Sequence, residues 1–228
     1  MAWAMNNGEF FSEFTAGRVV NPGHDSECSW FLMEEALRLK DENLHKEARG
    51  MFIDAIEAGW DREFGSLLYF IDWLGKPPEA YEHDMKLWWP HNEVMIASLI
   101  VYRNTGEQQY LDWFTKTLTY CKTYFSDPEY GEWYGYLRRD GQPTQPPCKG
   151  STFKGPFHLP RMLLMVDKIL DEIRAKRSYI FKEPGVCPVL LMMRLLYSLR
   201  QSATDLSWLL IHSLSPSCQS GSGMLVSQ

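Results

Sequence analysis

Along this chain, apolar residues recur at two different periods. The stretch "ECSWFLMEEALRLKD" carries Trp30, Phe31, Ala36 and Leu37 at helical spacing. "NLHKEARGMFIDAIEAGW" repeats the period with Leu44, Ala48, Phe52, Ala55 and Ile56. A second pair follows. Pro90 suits a first helical turn and "EVMIASLIVYR" continues until Asn104-Thr105-Gly106 breaks it. Its partner "EQQYLDWFTKTLTYCKTYF" places Tyr110, Phe114, Leu118, Cys121 and Phe125 on one face. A third helix opens at Pro160 and runs to about Ile173. Between the pairs lie short aromatic, strand-like excursions containing Gly65 and Gly131.

The pattern is a repeat. "NPGHDSE", "WWPHNEV" and "GPFHLPR" each place a histidine one or two residues after a proline, at the mouth of a helix. His24, His91 and His158 are thereby spaced by 67 residues. "DREFGSLLYF" from Asp61 and "DPEYGEWYGY" from Asp127 recur at an offset of 66 residues. Self-similarity at a fixed period must be recognised before the fold is read. Repeated helix pairs stack as an open solenoid or close into a toroid, and a common phase puts the three histidines at one end of one helix layer. A helix N-terminus is a positive field that disfavours imidazolium, so each ring is expected to stay neutral near pH 7 and able to take a proton. For any one of them, a cap or surface residue is the simpler reading, and only the recurrence shifts it. His45, His83 and His212 lie off this phase and receive no role.

Composition narrows the partners. The 228 residues, 45% hydrophobic and 23% charged, suit one large or two small globular domains. A net charge of −6 argues against a nucleic-acid backbone or an anionic membrane as the main partner. No run of about 18 apolar residues predicts a transmembrane helix. "MAWAMNNGEFFSEF" has no basic region or apolar core of a signal peptide. The cysteines, Cys28, Cys121, Cys148, Cys187 and Cys218, are odd in number and form no CxxC pair, as expected of reduced thiols in a cytoplasmic protein. The 9 tryptophans are a weak pointer to sugar stacking, since tryptophan is more often simply core.

The phrases "NPGHDSE", "MKLWWPHNEVMIA", "DPEYGEWYGYL" and "KGSTFKGPFHLPR" closely resemble the N-acylglucosamine 2-epimerase family, also called renin-binding protein, over roughly residues 7–173. The resemblance implies an all-α fold: antiparallel helix pairs with short β excursions, forming part of an (α/α)6 barrel. It implies an isomerase acting on N-acetylglucosamine and N-acetylmannosamine, a homodimer, renin as a partner, and ATP or a related nucleotide as an unconsumed activator. No P-loop pattern accompanies that nucleotide. By the same resemblance His24 and His158 are the two catalytic histidines. Glu27, Trp88, Trp89, His91, Glu93 and Arg161 are substrate-binding. Glu27 reads equally as an ordinary first-turn carboxylate, and either tryptophan as core. Two near-neutral bases on opposite faces of a sugar carbon can exchange its proton, so neither a metal nor a redox cofactor is expected.

Three departures accompany the match. "ECSW" stands where the family reads "EAGW", which puts Cys28 and Ser29 in place of small residues. The matched span is about half of a full family member, so the first half, with an arginine that the family uses on substrate, is expected to be missing. From residue 174 the resemblance ends in a divergent, Ser-rich tail, 174–228, expected to be partly disordered. Two other functions compete: a non-catalytic half barrel that binds renin or a full-length epimerase subunit, and a toroid glycosidase using Glu27 and Glu93 as its carboxylate pair.

Overall fold

The computed structural model describes residues 12–180, with side chains through 175. A short turn of helix, α1 (Thr15–Arg18), leads into β1 (Val19–Val20), α2 (Pro22–Leu39) and α3 (Glu42–Gly59). Then come β2 (Ile71–Asp72), β3 (Lys86–Leu87), α4 (Trp88–Thr105) and α5 (Gln108–Tyr120). The described residues end with β4 (Tyr136–Leu137) and α6 (His158–Ile180).

Local chemistry sets the helix ends. The Asn21 side chain accepts the His24 N–H at 3.0 Å, and Pro22 occupies the first turn, where its missing N–H costs nothing. Asp41 caps α3 in the same way through the Leu44 N–H. Gly106, at φ 74°, ends α4 in the left-handed region open to glycine.

The helices pack in two layers. α4 contacts both α2 and α6, while α3 backs α2 and α5 backs α4. Every residue of α4 from Trp88 to Tyr102 is buried, as befits a helix enclosed by neighbours. Near its C-terminus Arg103 bonds Glu34 of α2 at 2.5 Å and Glu172 of α6 at 3.0 Å, so one side chain ties three helices. The histidine-bearing N-termini of the same three helices meet at the opposite end, so α2, α4 and α6 run parallel.

The excursions repeat as closely as the helices. Asp61 Oδ1 accepts the N–H groups of Glu63 and Phe64, and Asp127 Oδ1 accepts those of Glu129 and Tyr130. Isolated antiparallel bridges, Trp60 to Leu67 and Ser126 to Trp133, close the two turns. β1 pairs with β2 and β3 with β4, each antiparallel and two residues long. The aromatic stretches thus form tight turns with only brief ladders.

Two sequence expectations are corrected. Phe31 and Leu37, placed with the apolar face of α2, are 48% and 47% exposed, because the buried arc runs through Ser26, Ser29, Trp30, Met33 and Ala36. The third helix runs on to Ile180, since "DEIRAKRSY" contains no glycine or proline to stop it. The rest of the expected tail, from residue 181, lies outside the described residues. No described helix is long and apolar enough to cross a membrane.

Candidate active site

Trp89, in the first turn of α4, lies between two imidazoles. Its ring centroid is 4.6 Å from that of His24 and 5.3 Å from that of His158. The two histidines, 134 residues apart in sequence, are therefore no farther apart than 4.6 Å plus 5.3 Å. The repeat produces this convergence: each ring stands at the start of one of three adjacent parallel helices.

The environments of the two rings differ. His24 is exposed on its open side, and crowding against its neighbours lowers its pKa, with Glu27 acting in opposition. His158 Nδ1 lies 2.7 Å from Glu93 Oε1. A carboxylate there is an acceptor, so Nδ1 is the donor of that bond.

Glu93 is the hub. It is 0% exposed, and its Oε2 accepts the Trp30 indole N–H at 2.8 Å. Its Oε1 is shared between His158 and Arg161, the latter at 2.5 Å. The same Arg161 nitrogen donates to Glu27 at 3.0 Å. The guanidinium also lies 4.1 Å from the Phe157 ring and 5.2 Å from that of Trp30. Glu27, Glu93 and His158 present donor atoms within 4.8 Å of one another, the set among the described residues best placed to hold a cation. Arg161 already supplies a positive charge to both carboxylates there.

His91 stands apart. It is 0% exposed, donates from Nδ1 to the Leu87 carbonyl at 2.6 Å, and accepts at Nε2 from the Ser66 hydroxyl. Burial depresses its pKa to about 3. Expected from the sequence as a sugar contact, it is instead a neutral core residue that ties α4 to the Asp61 turn. Glu93, expected in the same role, is also wholly buried and reaches a ligand only through His158 and Arg161. Trp88 is buried as well, yet its ring and that of Trp89 wall a cavity of ≈ 330 Å³ with Tyr69, Tyr136 and Phe153. Trp30 and Phe157 were not singled out from the sequence: Trp30 fits the helical core pattern, and its indole N–H shows a role only once Glu93 is placed. The only cue for Phe157 was its position next to His158.

Paired helices with their histidine- and tryptophan-bearing N-termini gathered at one end place this fold in the α/α-toroid class. A crystal structure of D-mannose isomerase superposes with a TM-score of 0.62 at 19% identity, over 72% of this chain and 43% of that one. The cellobiose 2-epimerase structure from Bacillus thermoamylovorans gives a TM-score of 0.54 at 27% identity, over 68% and 38%. Residues 1–154 match the N-acylglucosamine 2-epimerase family model, and the chain belongs to that family. The Mus musculus N-acylglucosamine 2-epimerase is 46% identical over 158 residues, which cover 69% of this chain and 38% of the mouse protein. The chain thus spans well under half the length of the curated relatives it matches.

Proposed function

We propose that residues 1–173 carry the two-base half of an N-acylglucosamine 2-epimerase site, with His24 and His158 exchanging the C2 proton of an open-chain N-acetylglucosamine or N-acetylmannosamine. The convergence of both imidazoles on Trp89 carries this reading. One neutral histidine takes the C2 proton, the aldehyde oxygen bears the enolate charge, and the other histidine, entering the step protonated, gives its proton to the opposite face of C2. Glu93 holds His158 in the tautomer that leaves Nε2 basic, and Trp89 offers a ring for the sugar to stack on. Glu27 and Arg161 form a charged pair beside the reacting carbon, where hydroxyls can bond. The resemblance adds a nucleotide activator, a homodimer, renin as partner and a cytoplasmic location, and these belong to the same proposal.

The glycosidase reading loses its footing at Glu93, because a carboxylate with no exposure cannot protonate a glycosidic oxygen. The binding-protein reading keeps one specific support, the 38% share of the mouse relative that the chain covers.

The test is solvent exchange. The chain is incubated with N-acetylmannosamine and ATP in D2O, and deuterium at C2 is followed by NMR. We expect deuterium at C2 of the product, at a rate about 10²-fold or more below that of a full-length relative, because a site missing part of its wall misplaces the sugar. Epimerisation without deuterium at C2 would refute the two-base mechanism. Co-purification with a full-length epimerase subunit, with no exchange above buffer, would favour the binding role.

A further inference from the structure

His158 and Arg161 stand at i and i+3 of α6, so both side chains leave one face of the helix, at the end where the three N-termini meet. The Nη2 group of Arg161 bonds Glu93 Oε1 at 2.5 Å and Glu27 Oε1 at 3.0 Å, and it lies 3.5 Å from His158 Nδ1. The guanidinium carbon is 4.1 Å from the centre of the Phe157 ring, with Trp30 and Phe31 at 5.2 and 5.8 Å. A planar cation clamped at one corner and stacked on an aromatic ring keeps its orientation.

The clamp uses Nη2 alone. Nε is buried without a partner, whereas Nη1, also unbonded among the described residues, is not buried with it. The side chain is 18% exposed, and its neighbours Phe157 and Phe31 open to the same side. Neutralising two carboxylates calls only for an ammonium. A guanidinium adds further donors in a fixed plane, and here those donors are unspent.

The proposed reaction supplies an acceptor for them. When a histidine takes the C2 proton, the C–H electron pair forms the C1–C2 double bond and the carbonyl pair moves onto O1. O1 lies about 2.4 Å from C2. A base within hydrogen-bond reach of the C2 proton therefore has O1 within roughly 5 Å of its ring, the shell that Arg161 occupies around His158. Charge points the same way. One protonated histidine and Arg161 offset Glu27 and Glu93, and the enolate charge is offset by the histidine that has taken the proton. Without Arg161, an uncompensated carboxylate would face the enolate.

We infer that Arg161 is a catalytic residue that holds O1 of the open-chain sugar through Nη1. The site therefore takes open-chain sugar acids as ligands, because their C1 carboxylate puts a permanent negative charge where the enolate charge develops. This rests on the proposal that a sugar reacts between His24 and His158.

The experiment is isothermal titration of the full 228-residue chain with two probes, 2-acetamido-2-deoxygluconate and 2-acetamido-2-deoxyglucitol. Both are open chains, and they differ only in carrying a carboxylate or a hydroxymethyl group at C1. The acid is expected to bind about 10-fold more tightly, the scale of one charge-assisted hydrogen bond. A chain of net charge −6 has no general attraction for anions that would mimic this preference. Arg161→Lys keeps a cation for Glu27 and Glu93 but has no second nitrogen for O1, so it should stay folded and bring the two affinities together. In a full-length protein carrying these residues, the same variant should lower kcat for C2 exchange by about 10²-fold with KM little changed. Should Arg161→Lys not fold, Phe157→Ala removes an exposed ring, leaves both ion pairs and should narrow the preference by freeing the guanidinium plane. Equal binding of the two probes to the unchanged chain overturns the assignment and leaves the epimerase reading standing. A preference that survives the variant overturns it in favour of another cation. Binding of neither probe overturns both the assignment and the reading beneath it.

Discussion

Glu93 organises its neighbours from a position where no ligand can touch it. Its two oxygens take bonds from Trp30, His158 and Arg161; Trp30 stays in the core, while His158 and Arg161 are partly exposed. Removing the carboxylate leaves a guanidinium, 18% exposed, with only Glu27 among the described residues for a counter-charge, and frees His158 to turn. Glu93→Ala is therefore expected to destabilise the fold by about 3 kcal/mol, the scale for breaking a buried charge pair from one side. Urea denaturation measures it. In a full-length protein carrying these residues, Glu93→Gln should lower C2 exchange by about 10²-fold while the variant stays folded, a loss equal to that of His158→Asn. Near-normal exchange in Glu93→Gln would show that the tautomer of His158 is set by something else. These roles were only partly legible in the sequence. The period placed His24, His91 and His158 in register, but it could not tell that His91 turns inward onto Ser66 while His158 turns toward Trp89. Helical phase reports a level along a layer, and the direction of a side chain is fixed by packing.

At the scale of elements, the repeat was the most readable feature, because its spacing survives in the geometry. Asp61 and Asp127 make equivalent turns, and Arg103 reaches Glu34 and Glu172, each 69 residues away, on the two flanking helices. What the pattern overstated was the strand character of "SLLYF" and "WYGYL", whose apolar residues serve turns and cavity walls. Close approach of α2 to α4 brings His24 beside Trp89, and Gly23 makes it possible. A Cβ at Gly23 would stand 2.7 Å from Pro90 Cβ and 2.9 Å from the Trp89 ring. No flexible side-chain end can give way there. Gly23→Ala should cost about 1–3 kcal/mol through overpacking. It should also move Trp89 away from His24, which NMR reads as a change in the ring-current shift of the His24 proton signals. A variant with unchanged stability and an unchanged His24 spectrum would mean that the helices separate without strain. Gly50, with nothing within 4 Å of the added Cβ, is the control on the neighbouring helix.

For the whole molecule, the buried imidazole of His91 couples folding to pH. In the folded protein its pKa is about 3, against 6.5 for a free histidine, because burial disfavours the charged ring more than the Leu87 carbonyl favours it. Between those values the unfolded chain binds a proton that the native ring refuses, so stability rises with pH across the window and falls on acidification. Above about pH 6.5 both states are neutral at this site and the penalty vanishes. The depressed pKa of His24 acts in the same direction just below its ordinary value. Acidification from pH 7 to 5 should therefore lower unfolding free energy, at a slope of up to about 1.4 kcal/mol per pH unit for each such proton. Asp61 and Asp127, whose carboxyls are held low by Lys86, Arg139 and Lys149, should not add to this loss until more acid conditions. The measurement is a series of urea midpoints from pH 7.5 to 4.5. In His91→Gln the amide keeps a donor and an acceptor for Leu87 and Ser66 but cannot titrate, so the variant should lose stability at neutral pH and show a shallower acid slope. The same slope in both proteins would assign the acid sensitivity to groups other than His91.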